Sequence, residues 1–272
     1  MAFLEIDIYS SSLMRNTEVA ACIPERYIGD KRSFHNDSNW DKDWGKWPVV
    51  WLLHGATCNY LDWWRFTSVE RYCEEYGFAA VSFSADMSFY ANINTGRYFD
   101  WLTEELPEKL DAMLPVISDR EGNFLAGFSM GGHGTLKAGL IASEKYAAIC
   151  PMSAGNLLLA DWEHASPRQN KDHLLYLGSE KAEDLFRGEH DVYYLAEEAV
   201  RRGNKLPKIL YTCGYHDLTY EDSKACYEYL KKLGYDVEFD ESEGMHNFDY
   251  WDKKIELFFQ WIKQNGLYPA NS

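Results

Sequence analysis

The chain has 272 residues, with 27 Lys and Arg against 43 Asp and Glu, which gives a formal net charge of −16 at pH 7. A protein this acidic repels phosphate backbones and anionic lipid surfaces, so neither nucleic acid nor a membrane is an expected partner. Hydrophobic residues make up 46% of the chain, enough for a large core, and this excludes a disordered protein. The sequence contains no run of about 18 apolar residues, so no transmembrane helix is predicted.

The cysteines and the first residues bear on the compartment. Six cysteines are scattered without a C-x-x-C pair, which favours reduced thiols inside a cell over a disulfide framework or a zinc site. The opening MAFLEIDIYSSS has neither a basic nor an apolar signal region, so we expect a cytoplasmic protein. The His and Cys spacings match no metal motif, and we expect neither a metal nor a cofactor.

The first part of the chain predicts strands at a sheet edge, then a loop. Residues 3–9 and 18–23 alternate apolar and polar side chains, which is typical of an antiparallel strand pair. Residues 29–46 are polar and rich in Gly, Asn and Asp, and we interpret them as a surface loop.

Apolar and amphipathic segments then alternate. Residues 48–53 and 78–83 predict buried strands on either side of a helix over 62–76 that ends at Gly77. The face of that helix expected to be buried carries Phe66, Val69, Tyr72, Cys73 and Tyr76. Later strands are predicted at 124–127, 147–152, 208–213 and 236–239, and later helices at 99–114 (with a break or restart near Pro107), 132–143, 221–233 and 252–263. This order predicts an α/β fold whose mainly parallel sheet has helices on both faces.

One stretch interrupts the alternation. Residues 155–202 contain no convincing strand, and connections this long in a compact domain are usually functional or partly helical. We interpret them as a helical, lid-like insertion over the strand ends. With no repeat and no obvious linker elsewhere, residues 1–272 are expected to form a single domain.

The strongest local signal is Gly127-Phe128-Ser129-Met130-Gly131, a G-x-S-x-G motif. The bare pattern is common, but here it follows an apolar strand and opens directly into a helix. A sharp turn in that position lifts the serine oxygen above the sheet, at a helix N-terminus that stabilises negative charge. We therefore predict that Ser129 is a nucleophile, on a fold of the α/β-hydrolase type.

A serine nucleophile needs a base, which in this fold follows the serine and the acid in the chain. His246, in EGMHNF, lies between the strand at 236–239 and the last helix, where a loop reaches the same edge of the sheet. We predict that His246 is the base. His133 lies only four residues beyond the serine, inside the next helix, and is expected to be structural.

The acid is expected in the loop after the strand at 208–213. Asp217, in CGYHD, lies there beside His216, and is the predicted orienting carboxylate. Asp222, at a helix start, and Asp240, at a strand end, are weaker alternatives.

An oxyanion hole needs two backbone donors. The N–H of Met130 at the helix start is the first, and the loop His54-Gly55-Ala56-Thr57 supplies the second, with Ala56 preferred to Thr57. We expect His54 to support this loop by hydrogen bonding rather than to act as a second catalytic histidine.

Four segments, in this order and spacing, resemble the esterase D branch of the α/β-hydrolases: LLHGATCNYLDWW, GFSMGGHGTL, CGYHDLTYEDSKACYEYL and EGMHNFDYWDKKIELFFQWI. That branch includes S-formylglutathione hydrolases, tributyrin-type esterases, and the feruloyl and acetylxylan esterases of carbohydrate esterase family 1. The resemblance spans nearly the whole chain. It implies the same nucleophile, acid, base and oxyanion donors as the residues above.

The resemblance implies a serine carboxylic ester hydrolase for short-chain acyl, feruloyl or acetyl esters of small alcohols or sugars. The alternative is a thioesterase of the S-formylglutathione hydrolase type, whose T-C pair Thr57-Cys58 resembles, although those enzymes commonly carry serine where this chain has His54. The expected partner is a small ester, and a homo-oligomer is compatible with this fold. Aromatic residues make up 16% of the chain, and three are predicted to contact substrate: Trp63, Tyr90 and Trp162.

Overall fold

A computed structural model describes residues 1–25, 45–155 and 185–267. Its strands are β1 (Ala2–Ser10), β2 (Arg15–Ile23), β3 (Val49–Leu53), β4 (Ala79–Phe83), β5 (Asn92–Ile93), β6 (Gly96–Arg97), β7 (Asn123–Phe128), β8 (Ala148–Met152), β9 (Lys208–Gly214) and β10 (Val237–Ser242). The α-helices are α1 (Asp62–Phe66), α2 (Val69–Tyr76), α3 (Tyr98–Asp100), α4 (Leu106–Met113), α5 (Met130–Ile141), α6 (Val192–Arg201), α7 (Tyr220–Lys232) and α8 (Phe248–Gln264). None of the helices within these ranges is long and apolar enough to cross a membrane.

Eight strands form one sheet in the order β1-β2-β4-β3-β7-β8-β9-β10. The six strands from β4 to β10 in that order run parallel, and β2 pairs antiparallel with both β1 and β4. This confirms the predicted α/β-hydrolase fold and its antiparallel strand pair at the N-terminal edge. The short β5–β6 hairpin was not predicted, because two-residue strands leave no periodic signal.

The central strands are buried on both faces because each face packs against helices. In β3, Val49, Trp51 and Leu53 enter the core on one side of the sheet. Val50 and Leu52 enter the core on the other side. The first core includes side chains from α4, α5, α6 and α7, and the second includes side chains from α1, α2 and α8. Side chains that alternate between two apolar layers explain why these strands are almost continuously hydrophobic.

The helix predicted over 62–76 is two helices. Thr67, between α1 and α2, has an extended backbone, with φ −132° and ψ 170°. Asp252 of α8 accepts a hydrogen bond from the Ser68 N–H at 2.6 Å and so holds the break. Phe66, expected on the buried face, is 51% exposed as a result, whereas Val69, Tyr72 and Cys73 are buried. A tertiary hydrogen bond thus interrupts a helix that local periodicity favoured.

Within the helix predicted over 99–114, an α-helix restarts beside Pro107, as one of the two predicted alternatives, while the chain stays helical throughout. A π-helical turn, Trp101–Glu105, joins α3 to α4, and Pro107 lies in the first turn of α4. The proline lacks an N–H to donate to the preceding turn, and it follows directly on the wider π-helical turn, in the first turn of α4 where proline is tolerated.

The two predicted loop regions lie largely outside the described residues. Of the surface loop at 29–46, only residues 45 and 46 are described. Of the insertion at 155–202, residues 156–184 are not described, and α6 forms its last part. The reading of 155–202 as a lid on a single domain therefore stays a prediction.

Buried basic side chains lie between α5 and the segment before α6. His133 is fully buried, with Nδ1 3.3 Å from the carbonyl oxygen of Gly155. Burial, together with the nearby Lys137 ammonium, lowers the pKa of His133 to about 4. Lys137 Nζ is itself buried and lies 2.6 Å from a Glu189 carboxylate oxygen. His190, 5% exposed, is held neutral in the same way, with its pKa lowered to about 2.

These buried histidines predict a loss of stability in mild acid. An unfolded histidine has a pKa near 6.5. As the pH falls, His133 is therefore protonated in the unfolded state but stays neutral in the folded state. The contribution of neutral His133 to stability is therefore complete above about pH 6.5, and it is lost as the pH falls towards the folded pKa of about 4. Between about pH 7.5 and about pH 5, His133 alone is expected to remove about 2 kcal/mol from the free energy of unfolding.

Urea unfolding at both pH values, compared between wild type and His133→Asn, measures this contribution. The pH-dependent loss is expected to be about 2 kcal/mol smaller in the variant, whatever its absolute stability, because both proteins share their other titrating groups. Equal losses in the two proteins would show that His133 is not held neutral.

Candidate active site

Ser129 lies at a strained turn between β7 and α5. Its backbone has φ +56° and ψ −120°, a conformation that residues other than glycine rarely adopt. Two glycines permit the turn: a Cβ on Gly127 would lie 2.4 Å from the Gly131 carbonyl oxygen, and a Cβ on Gly131 would lie 2.3 Å from that of Leu53. The Ser129 N–H donates to Met152 of β8 at 2.9 Å. The G-x-S-x-G glycines are therefore required by close backbone approach.

Three predicted side chains meet at this turn in one hydrogen-bonded line. Nε2 of His246 lies 2.9 Å from Ser129 Oγ. Nδ1 of the same ring lies 2.9 and 3.1 Å from the two carboxylate oxygens of Asp217. The three residues come from the ends of β7, β10 and β9, which the parallel sheet brings to one edge. A carboxylate can only accept, so Nδ1 carries the proton and Nε2 is left to accept from the serine hydroxyl.

Asp217 is a buried carboxylate with its own set of donors. Its side chain has 0% exposure, and one oxygen accepts from both the N–H and the hydroxyl of Thr219, each at 2.8 Å. Burial opposes ionisation, but hydrogen bonds from His246, Thr219 and Ser153 outweigh it and hold the pKa of Asp217 below its ordinary value. The carboxylate therefore stays charged beside the imidazole and fixes its orientation.

Trp251 of α8 supports the histidine from the side. Its ring stands edge-on to the His246 ring, with centroids 5.0 Å apart, and stacks on Phe128 at 4.1 Å. Its Nε1–H donates to Ser153 Oγ at 2.9 Å. Thr219, Ser153 and Trp251 are not among the residues predicted from the sequence. A threonine two residues after an aspartate was a local signal for the first, whereas the other two come close only through the fold.

The two predicted oxyanion donors flank the serine. Met130 is the first residue of α5, where no earlier turn accepts its N–H. Ala56 lies in the loop after β3, and Gly55 beside it is packed so closely that an added Cβ would lie 2.6 Å from the Phe128 ring and 3.4 Å from Ser129 Cβ. Within the described chain, neither N–H donates to a protein acceptor.

The other candidates lie elsewhere. His54 is buried and hydrogen-bonds to the Gly55 carbonyl oxygen and to the Ala85 N–H, and His133 lies against the Gly155 carbonyl oxygen. Asp240 pairs with Lys254 of α8, and Asp222 packs against Gly155. Neither of these acids takes the place of Asp217 beside the histidine.

Two of the three aromatic rings predicted to contact substrate are buried instead. Trp63 is 0% exposed, donates its indole N–H to the Leu53 carbonyl at 3.1 Å and packs on Phe128. Tyr90 is also 0% exposed, and its hydroxyl donates to the His54 carbonyl at 3.0 Å. Both rings lie in the core, and the prediction that they contact substrate is wrong. Trp162 lies outside the described residues.

A mostly parallel sheet with a serine at a strand-to-helix turn, and an Asp and a His on later strand ends, defines an α/β-hydrolase. Comparison with known proteins places the chain more closely. It belongs to the family described as "Putative esterase", whose model matches residues 11–257. It is therefore a serine hydrolase of the carboxylic ester hydrolase class.

Three of the proteins to which it is similar cover the chain nearly end to end. An acetyl esterase of Caldicellulosiruptor saccharolyticus is 27% identical over 97% of this chain and 99% of its own length. The structure of the fluorophosphonate-binding serine hydrolase F of Staphylococcus aureus is 29% identical, with a TM-score of 0.81 over 96% of this chain and 98% of that one. A structure of S-formylglutathione hydrolase (FrmB) from the same species is also 29% identical, with a TM-score of 0.79 and the same coverage.

The packing at the serine turn predicts how two glycines of α5 differ. Gly131→Ala would force a Cβ against the backbone of β3, whereas Gly139→Ala would meet only the side chain of Ile149, with Cδ1 at 2.6 Å and Cγ2 at 3.1 Å. Both changes gain the same helix propensity, about 1 kcal/mol. We expect Gly131→Ala to lower the free energy of unfolding by about 2 kcal/mol or more, and Gly139→Ala to stay within about 1 kcal/mol of wild type.

Urea unfolding followed by circular dichroism compares the two variants. Equal stabilities would show that the turn at Ser129 tolerates a side chain at position 131 and is looser than the structure indicates.

Proposed function

We propose that this protein hydrolyses carboxylic esters through an acyl-enzyme, with Ser129 as nucleophile, His246 as general base and acid, and Asp217 as the orienting carboxylate. The observation that carries the proposal is the continuous hydrogen-bonded line from the buried Asp217 through His246 to Ser129 Oγ. A serine at a strained turn, with a base 2.9 Å away and the base held by a charged acid, is the arrangement that activates a hydroxyl.

The proposed reaction has two halves. Ser129 Oγ attacks the ester carbonyl carbon while its proton passes to Nε2 of His246. The tetrahedral intermediate collapses, the bond to the alcohol oxygen breaks, and the imidazolium returns the proton to that oxygen, leaving an acyl-serine and a free alcohol. Water then attacks the acyl-serine with the same base, and the acid and the free serine are formed.

The developing negative charge on the carbonyl oxygen is stabilised by the N–H groups of Met130 and Ala56. Both are backbone donors held by packed structure, and the first also lies at the N-terminus of α5. Asp217 keeps the proton on Nδ1 and stabilises the imidazolium that forms after each proton transfer.

The loops around the serine favour an uncharged ester. Five described loops reach this edge of the sheet, at 54–61, 84–91, 153–155, 215–219 and 243–247, and none of them contains Lys or Arg, whereas they hold three acids: Asp86, Asp217 and Glu243. A ligand with net negative charge, such as a glutathione thioester, finds no Lys or Arg within these loops to pair with its carboxylates, and Arg15, at the start of β2, is already paired with Asp86 at 2.9 Å.

An apolar rim adds to this preference. Three hydrophobic side chains flank the acid and the base and face solvent: Tyr215 at 47%, Leu218 at 81% and Met245 at 58% exposure. Such a surface suits a small acyl or aryl group. Together with the full-length similarity to an acetyl esterase, these loops support short-chain acyl esters of neutral alcohols or sugars as the substrate class.

The second candidate function is hydrolysis of S-formylglutathione. It is supported by a relative of that name at 29% identity over nearly the whole chain. The same residues would carry out the same two steps, with a thiolate as the leaving group in place of an alkoxide. The negative charge of the loops argues against an anionic thioester. The preference between this thioester and a neutral ester can be measured.

Replacement of Ser129 tests the reaction. Ser129→Ala is expected to lower kcat on p-nitrophenyl acetate by at least about a thousandfold. Its free energy of unfolding, measured in urea, is expected to stay within about 1 kcal/mol of wild type. A fluorophosphonate probe, which captures activated serines, is expected to label the wild type and not the variant. Undiminished turnover by the variant would remove the proposed mechanism.

Reversal of a charge tests the substrate preference. Glu243→Lys adds positive charge beside the base at a side chain that is 81% exposed. At low ionic strength it is expected to raise kcat/KM for S-formylglutathione about threefold, and to leave kcat/KM for p-nitrophenyl acetate nearly unchanged.

The matched control is Glu108→Lys, an equal charge change on α4. Glu108 is exposed beside a cleft that also includes Asn123 at the start of β7, on the opposite edge of the sheet. Equal effects of the two variants, or a wild type that prefers the thioester, would contradict the electrostatic argument.

A further inference from the structure

His54 joins the loop after β3 to the segment after β4. Its Nδ1 lies 2.7 Å from the Gly55 carbonyl oxygen, which can only accept, so Nδ1 carries the proton. Its Nε2 then accepts from the N–H of Ala85 at 2.8 Å. The ring is 0% exposed, and burial lowers its pKa, which keeps the imidazole neutral, as both hydrogen bonds require.

Tyr90 holds the same loop from a second direction. Its hydroxyl donates to the carbonyl of His54 at 3.0 Å. Its ring lies against α5, where a Cβ on Gly134 would be only 2.4 Å from the ring carbon Cδ2. Tyr90 thus contacts both the helix that follows Ser129 and the loop that contains Ala56.

The segment that carries Tyr90 is itself strained. Three of its residues that are not glycine, Asp86, Phe89 and Tyr90, have φ between +47° and +54°. The Tyr90 N–H is held by Ser88 Oγ at 3.1 Å. Backbone of this kind persists only where the surroundings fix it, and strain of this kind clusters at functional sites.

The hydrogen bond to Gly55 has a consequence for Ala56. The carbonyl of Gly55 and the N–H of Ala56 belong to one planar trans peptide, in which they point in opposite directions. A donor that fixes the Gly55 carbonyl therefore also fixes the direction of the Ala56 N–H.

We propose that His54 and Tyr90 are positioning residues that aim the Ala56 N–H at the oxyanion, without contacting substrate themselves. The inference rests on the proposed function, since it assumes a tetrahedral intermediate at Ser129. A donor aimed at an oxyanion acts mainly in the transition state, so its loss lowers kcat much more than it changes KM.

Tyr90→Phe tests the proposal, since it removes one hydroxyl and keeps the ring that packs on Gly134. We expect kcat on p-nitrophenyl acetate to fall about tenfold while KM changes less than about twofold. A trifluoromethyl ketone, which binds as a tetrahedral adduct with an oxyanion, is expected to lose about the same tenfold in affinity.

The matched control is Tyr235→Phe. The Tyr235 hydroxyl also donates to a backbone carbonyl, that of Ala196 at 3.0 Å, and Tyr235 is 5% exposed, but the bond lies on α6, outside the oxyanion loop. This variant is expected to lose similar stability and to keep the kcat and the inhibitor affinity of wild type.

His54 is tested by a pair of variants. An asparagine amide can place its N–H where Nδ1 of the histidine was, whereas leucine supplies no donor. His54→Asn is therefore expected to retain several times the kcat of His54→Leu.

Ser129→Ala in the same assay distinguishes failure of the proposed esterase mechanism from failure of the positioning role alone. If that variant stays active, the proposed function fails and this inference fails with it. If Ser129→Ala is inactive but Tyr90→Phe keeps wild-type kcat and inhibitor affinity, or lowers them no more than Tyr235→Phe does, the esterase mechanism stands and the positioning role is overturned.

Discussion

The backbone of Ser129 sits at φ +56° between a parallel strand and the helix that follows it, and the site depends on that one turn. A residue in this conformation costs about 1–3 kcal/mol, so it persists only where its surroundings leave no alternative. Here the surroundings are the close approach of Gly127 and Gly131 to neighbouring backbone and the hydrogen bond from Ser129 to Met152. The turn lifts the hydroxyl above the sheet and leaves the first N–H of α5 free to meet an anion.

The rest of the site follows from the parallel sheet. Asp217 and His246 lie beyond the ends of β9 and β10, and Ala56 lies beyond the end of β3, so neighbouring strands deliver all of them to one edge. The charge of the site is set by a few neighbouring residues. The buried Asp217 carboxylate is stabilised by hydrogen bonds from His246, Thr219 and Ser153, and the five loops around it that the structure describes hold no Lys or Arg. These acidic loops with exposed apolar side chains support the proposal that the substrate is an ester without net negative charge.

Local sequence patterns failed where tertiary contacts opposed them. The helix over 62–76 has continuous amphipathic spacing, yet a hydrogen bond from Ser68 to Asp252 of α8 divides it and turns Phe66 to solvent. Composition suggested that aromatic rings such as Trp63 and Tyr90 line a groove, yet both are fully buried. An aromatic side chain gives no local sign of which way it faces, because its burial depends on elements far away in the chain.

The sequence by itself determined the class of fold and the residues of the hydrogen-bonded line. Apolar strands alternating with helices specify a parallel sheet, and a G-x-S-x-G between strand and helix, followed by Asp217 and His246 after later strands, places three side chains at one edge. Only the tertiary structure decided how those side chains are supported. Thr219 was within reach of local reasoning, but Ser153 and Trp251 beside Asp217 and His246, and Tyr90 between α5 and the loop after β3, are brought there by packing between distant elements. Periodicity reports which face of an element is apolar, whereas contacts between elements depend on how complete side chains fit together in three dimensions.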